Sequence, residues 1–277
     1  MLWRSGLALI LCATAALSDP LTFVWRTALD ADLPRFGGFS AIEMQTQDAA
    51  IVLSDRGSAF AFSIDRRARH VAARPVGIAW ADRDTEGLAW ANGQLFFSFE
   101  GPAEVGRSNG RVLPRAPSYR EFPQNGGFEA LAGTPDGILY AIPERPASNS
   151  ARIPVLQLNS GRWSVLTHLP SLDGFSPVGA DLGPDGYLYL LLRSFSPVGF
   201  RSQVARLDPS DPTGSFTPLL TTALGAYGNL EGLAVWQSQS GATCLTMVSD
   251  NNFLSLQRSE LVEYALTETL AGGATCD

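Results

Sequence analysis

Apolar positions in this chain fall into runs of six to eight residues rich in β-branched and aromatic side chains: AAIVLSD (49–55), SAFAFSID (58–65), QLFFSFEG (94–101), GILYAIPE (137–144), YLYLLLR (187–193), CLTMVSD (244–250) and LVEYAL (261–266). Runs of this length and composition, bounded by turn residues, read as strands, and no amphipathic helical stretch of useful length competes with them. Asn92-Gly93, Asp136-Gly137 and Asp185-Gly186 precede three of the runs. Such dipeptides supply the positive φ angles of tight hairpin turns, so the run is expected to pair antiparallel with the strand before it.

Five short segments, each upstream of one such run, carry a second signal: GGFSAI (37–42), DTEGLA (84–89), GGFEAL (126–131), SPVGAD (176–181) and NLEGLA (229–234). Aligning Ser40, Glu86, Glu129, Val178 and Glu231 gives steps of 46, 43, 49 and 53 residues. Spacing in that range marks a repeat architecture. Within a repeat the segment and its run are followed by a third strand and a more irregular fourth, as in IPVLQLN (153–159) with RWSVLTHL (162–169) and SQVARLD (202–208) with FTPLLTTAL (216–224). Four antiparallel strands per repeat form the blade of a β-propeller. The fifth repeat lacks a clear fourth strand, while LTFVWRTAL (21–29) stands without a partner. The expected fold is therefore all-β: a single β-propeller of four-stranded blades, five in number with six as the alternative, closed by the N-terminal strand. Closure removes the open sheet edges that invite aggregation.

Composition narrows the function. Apolar residues make up 45% of the 277-residue chain and charged residues 17%, enough for a sizeable core. A net charge of −7 argues against nucleic acid or an anionic membrane surface, both of which require a basic face. Lysine is absent, so Schiff-base and lysine-base mechanisms are excluded and every fixed cation is arginine. The first twenty residues carry Arg4, an apolar run from Gly6 to Leu17 too short to span a bilayer, and Ala16-Leu17-Ser18 ahead of Asp19. That reads as a signal peptide over residues 1–18, leaving a domain of residues 19–277 in the periplasm or secreted. Cys12 follows the bulky Leu11, which a lipoprotein signal disfavours. Two cysteines then remain, Cys244 and Cys276, and in an oxidising compartment a disulfide between them is expected.

The repeat register places polar residues together. In a hairpin, the start of the first strand and the end of the second share one rim of the sheet. The expected pairs are Ser40 with Asp55, Glu86 with Glu100, Glu129 with Glu144, Val178 with Arg193, and Glu231 with Asp250. Seven of these ten positions are acidic and one is basic. Around a central channel they form a ring at one mouth, beside Arg56, Arg145, Asn251 and Asn252. Crowded like charges repel unless a cation or arginine neutralises them. The expected cation is Ca²⁺, which accepts many oxygen ligands in loose geometry; the alternative is a solvated rim paired by arginine alone. Zinc is disfavoured, because His70 and His168 fall on outer strands or their connections. SDNNF (249–253) and Arg258 form the most unusual short stretch, suited to ligating a metal and gripping an anionic group, although Asp-Asn-Asn is also ordinary turn chemistry. Arg193, basic where the other repeats have an acid, either neutralises the ring or grips a phosphate or carboxylate. No G-x-S-x-G elbow is present.

The order of GGFSAI with LSDRG, DTEGLA with SFEG, GGFEALA with PDG, PVGADLGPDGYLYLLLR, and NLEGLAVW with SDNNF and LQR resembles the bacterial exported phytase-like family, described by the "esterase-like activity of phytase". The resemblance spans residues 36 to 266 and implies a propeller and hydrolysis of an ester or phosphoester. On this reading Ca²⁺ is held by Glu86, Glu129, Glu231 and Asp250, with Asp55 and Asn251 beside them. Glu100 or Glu144 is the general base, and Arg193 and Arg258 bind the anionic group. The expected ligand is a small-molecule ester or anion, and the protein is expected to be a monomer without a membrane span. Two other readings stay open: a non-catalytic periplasmic ligand-binding or scaffold propeller, and a calcium-dependent lactonase-like hydrolase.

Overall fold

The computed structural model describes residues 19–277 except 82, 102, 117–121, 123–125, 212 and 255. The signal-peptide expectation and Cys12 lie outside the described residues. Strand β1 (Leu21–Ala28) comes first in the chain but belongs with the last repeat. Blade one follows with β2 (Phe39–Thr46), β3 (Ala49–Ser54), β4 (Ser58–Asp65) and β5 (His70–Val76). Blade two has β6 (Thr85–Ala91), β7 (Gln94–Phe99) and β8 (Glu104–Arg107). Blade three contains β9 (Phe128–Gly133), β10 (Leu139–Pro143), β11 (Pro154–Asn159) and β12 (Arg162–His168). Blade four is β13 (Ser176–Leu182), β14 (Leu188–Ser196), β15 (Gly199–Leu207) and β16 (Phe216–Thr221). Blade five consists of β17 (Asn229–Gln237), β18 (Thr243–Asp250), β19 (Glu260–Leu266) and β1.

These sheets form a five-bladed propeller with β2, β6, β9, β13 and β17 innermost, each touching the next and β17 returning to β2. The ring closes as the sequence implies, with β1 paired antiparallel to β19 from Leu21 opposite Leu266 to Ala28 opposite Glu260. Blade two has three strands among the described residues, plus a lone bridge between Gly106 and Val112. The chain just beyond carries Pro114, which cannot donate to a sheet ladder.

Each blade interface has its own apolar core, and this explains the unbroken apolar runs. In β14, Leu188, Leu190 and Leu192 pack against blade three, whereas Tyr189 and Leu191 pack against blade five. A strand buried on both faces gains from every side chain, at about 1.5–3 kcal/mol for each fully buried leucine. A disulfide joins Cys244 of β18 to Cys276 and pins the C-terminal tail under blade five.

Candidate functional site

Every inner strand breaks its period-two alternation close to the same mouth. The extra residue is Ser40 in β2, Glu129 in β9, Val178 in β13 and Glu231 in β17, while in β6 Glu86 and Gly87 together face Ser98. A bulge frees a residue from the ladder and re-aims its side chain. Three acids from three different blades, Glu86, Glu129 and Glu231, are brought close together in this way. The residue after each freed position is small: Ala41, Gly87, Ala130, Gly179 or Gly232. A Cβ on Gly179 would lie 2.4 Å from the Glu231 carbonyl oxygen, and one on Gly232 would lie 3.0 Å from Ala41 Cα. The small residues let neighbouring inner strands close on the axis, leaving a void of about 10 Å³. The mouth is a bowl with a nearly closed floor.

The outer rung of the bowl is offset from the expected pairing. Asp55 bonds to Gly38, Glu100 to Asp84 and Glu144 to Gly127, while Ser176 faces Arg193 and Asn229 faces Asp250. Each rim residue thus pairs two positions before the anchor, because the bulge adds a residue that hydrophobic alternation does not reveal. The offset brings in Asp84 and Asn229, which the sequence reasoning passed over. Their signal was a carboxyl or amide two residues before the acid in both DTEGLA and NLEGLA.

Charge within the bowl is divided. On one side, carboxylate oxygens of Glu86, Glu100 and Glu129 lie within 4.8 Å of one another. Burial, reinforced by Glu129, Glu231, Asp84 and Glu100, holds Glu86 well above the ordinary carboxylate range; Glu129 is raised by burial and by Glu100, Glu231 and Glu144. Glu100 is raised chiefly by burial. Its Oε1 accepts the Gly126 N–H at 2.9 Å, and its buried Oε2 has no hydrogen-bond partner. On the other side Arg193 donates to Glu231, to Asn229 Oδ1 at 3.1 Å and to Glu144 at 3.3 Å. Asn229 Nδ2 donates to Glu231 at 2.9 Å and Asp250 at 3.3 Å. Burial still pushes Glu231 up to about 7, with Arg193 opposing and Asp250 adding. Burial and Asp250 push Asp55 up to about 6.

A family model described as "Phytase-like: Esterase-like activity of phytase" matches residues 34–253. The chain belongs to the phytase-like family. Curated protein sequences give no significant match. Among solved structures, the family fold seen here is similar to a gluconolactonase from Xanthomonas campestris, at 14% identity and a TM-score of 0.45 over 88% of this chain and 89% of that one. A glutaminyl cyclase from Myxococcus xanthus is similar at 12% identity and a TM-score of 0.43, covering 88% and 95%. A WD40 β-propeller domain is similar at 9% identity and a TM-score of 0.45, covering 88% and 96%.

In this phytase-like protein the predicted site residues fall into three groups. Glu86, Glu100 and Glu129 converge without an arginine among them. Glu144, Arg193, Glu231, Asp250 and Asp55 form the arginine-braced half, where Arg145 also reaches Glu144 at 3.3 Å. Arg193 is paired with two of the ring acids, Glu144 and Glu231. Asn251 and Arg258 sit apart from both groups. Asn251 Oδ1 accepts the Gly38 N–H at 2.9 Å and the Phe253 N–H at 3.1 Å, latching blade five onto blade one. Arg258 lines a groove whose walls include none of the ring carboxylates. His70 and His168 lie at the start of β5 and the end of β12, both outermost strands.

Proposed function

We propose that the bowl is a cation-assisted hydrolytic site acting on an ester or phosphoester. The observation that carries this reading is the Glu86, Glu100 and Glu129 cluster, three buried-edge carboxylates within 4.8 Å with one oxygen left unpartnered. Such a group is tolerated only when protonated or shared by a cation, and oxygen-only donors suit Ca²⁺. Glu86 and Glu129, aimed by their bulges, would hold the ion, with Glu231 and Asp250 completing the acidic surround. Bound there, it would supply Lewis acidity toward the ester oxygen and toward water.

The chain's own residues supply the remaining chemistry. Of the two candidate bases, Glu144 has both oxygens engaged by arginines, Arg193 on one and Arg145 on the other. Glu100 is fixed at one oxygen by Gly126 and its other, buried oxygen makes no hydrogen bond, so on this reading Glu100 rather than Glu144 accepts the proton of an attacking water. Arg193 keeps Glu231 and Glu144 in position rather than gripping substrate. Arg145 is exposed at the mouth and Arg56 stacks over Phe253 at 3.8 Å, so both border the path of an anionic substrate.

Thermal melting with 1 mM Ca²⁺ and with chelator tests the ion. At 100 times Kd the gain is about 2.7 kcal/mol, which for a domain of this size raises Tm by about 5 °C. Turnover is then measured on phosphomonoester, carboxyl-ester and lactone substrates, with Glu129→Gln expected to abolish it while the protein still folds. An unchanged Tm at millimolar Ca²⁺ defeats the ion site. A raised Tm without turnover favours a non-catalytic binding propeller, a reading supported by the Arg193, Asn229 and Asn251 bonds that already tie blades together at the mouth.

A further inference from the structure

We infer that a groove between blades four and five, opening beside the bowl, binds the apolar body of an amphiphilic substrate whose anionic group is met by Arg258. The assignment to a substrate rests on the hydrolytic reading of the bowl; the groove itself does not. In blades one, two and three the second strand stops just short of its rim residue, and β18 stops at Asp250 itself. Strand β14 instead runs past Arg193 to Ser196 and stays paired with β15 through Phe195 opposite Phe200. Three further residues at about 3.3 Å each raise a wall about 10 Å above the rim. Phe195 and Val198 at its crest are 69% and 77% exposed, and Phe195 lies 5.2 Å from the Phe200 ring.

The segment after β18 reaches the same groove through Leu256, which is 96% exposed, and Leu254 nearby is 54% exposed. With Leu224, five of the nine large exposed apolar residues among the described residues belong to these mouth segments of blades four and five. Scattered surface apolar residues need no explanation, but a concentration beside a polar site marks a binding surface. Phe200 and Leu256 border a groove of about 480 Å³ together with Tyr227, Arg26, Arg258 and Glu260, whose Oε1 accepts the Gly228 N–H at 2.8 Å. Its floor adjoins the bowl: Gly228 precedes Asn229, and Ser249, beside Asp250, donates to the Arg258 carbonyl at 2.9 Å. Arg26 is committed to the Ala226 carbonyl, whereas Arg258 is exposed and its guanidinium has no ion-pair partner among the described residues. The apolar surfaces of Phe200, Tyr227 and Leu256, an available guanidinium and an adjoining carboxylate bowl fit a molecule that carries a hydrophobic chain or ring and a negative charge.

Calorimetric titration of the whole protein in chelator with 1-octanesulfonate and ethanesulfonate tests the groove without any ion or turnover. Six added methylenes, each half-buried, predict at least ~10-fold tighter binding of the octyl probe. Phe195→Ser with Leu256→Ser should remove that preference, and Arg258→Gln should weaken both probes. All three positions are exposed, so Tm should hold. Equal affinity for both probes, or an octyl preference that survives the double substitution, overturns the inference. So does concentration-dependent dimerisation that competes with the octyl probe and is lost in Leu256→Ser, because the patch would then be a contact between copies. Octyl preference without hydrolysis of any ester defeats the hydrolytic reading and keeps the groove. Hydrolysis indifferent to acyl length, with no octyl preference, does the reverse.

Discussion

Replacing Arg193 by methionine removes the cation that braces one half of the bowl while keeping an unbranched apolar stem. Three contacts go with it: Glu231, Glu144 and Asn229 Oδ1. The guanidinium is 21% exposed and its two carboxylate partners 15% and 16%, so this is a largely buried network rather than a surface pair. Breaking such a pair from one side typically costs about 3–5 kcal/mol, because the remaining charges stay desolvated. For a domain of about 260 residues with an unfolding entropy near 0.5 kcal/mol/K, that lowers Tm by about 6–9 °C. The loss depends on pH in a defined direction. Glu231 titrates at about 7 in the fold, above its ordinary 4.5, so folding favours its protonated form and its ionisation destabilises the fold as pH rises through 7. Arg193 opposes that rise. At pH 5 Glu231 is protonated and the substitution should matter least; at pH 8 it is ionised and the substitution should matter most. Scanning calorimetry in chelator at the two values measures the difference. A loss equal at both pH values, or below about 1 °C at pH 8, refutes the assignment of Arg193 as the brace.

Two further outcomes follow from the fold. Cys244→Ala with Cys276→Ala opens a loop spanning a separation of 32 residues, and the chain-entropy relation predicts a loss of about 4 kcal/mol, read as a lower denaturation midpoint. Gly179→Ala places a Cβ 2.4 Å from a backbone oxygen of the next inner strand, at a position where φ is not the obstacle. Neither backbone can give way cheaply, so a loss above about 3 kcal/mol is expected in urea unfolding, and a neutral result would mean that the inner strands are not packed this closely.

Much of this arrangement could be read from sequence because its determinants are local. The repeat anchors stood out since each bulge residue is followed by glycine or alanine in a short segment, and a β-run comes next at almost constant distance. The closing role of Leu21–Ala28 followed from a missing strand in one repeat and a spare one at the other end. What escaped was non-local. The rung offset arises from an extra residue that leaves alternation on either side intact, so Asp84 and Asn229 looked like spacers. Asn251 reads as a metal ligand by side-chain type, yet its oxygen is consumed by Gly38, more than 200 positions away in the chain. Arg258 lies in a segment without periodicity, where nothing in the sequence fixes which wall it joins.

The bulges and the small residues behind them are two halves of one device. A side chain aimed at the axis needs neighbouring inner strands to approach, or the space between the three acids would admit bulk water and screen the cluster. Approach in turn requires that the following residue have little or no side chain, since Gly179 and Gly232 already sit at backbone contact with the adjacent blade. The floor so formed desolvates Glu86, Glu129 and Glu231, and that burial is the largest cause of their raised pKa values, ahead of mutual repulsion. Repulsion alone would favour spreading the acids apart; the bulges hold them together. Blade four shows the converse, since Val178 replaces the acid at its bulge and Arg193 stands at its rim, which leaves the cluster's excess charge on blades two and three. A cation entering the bowl would therefore settle toward Glu86, Glu100 and Glu129, leaving the side nearest Arg193 and the groove beyond it open to an anionic, apolar ligand.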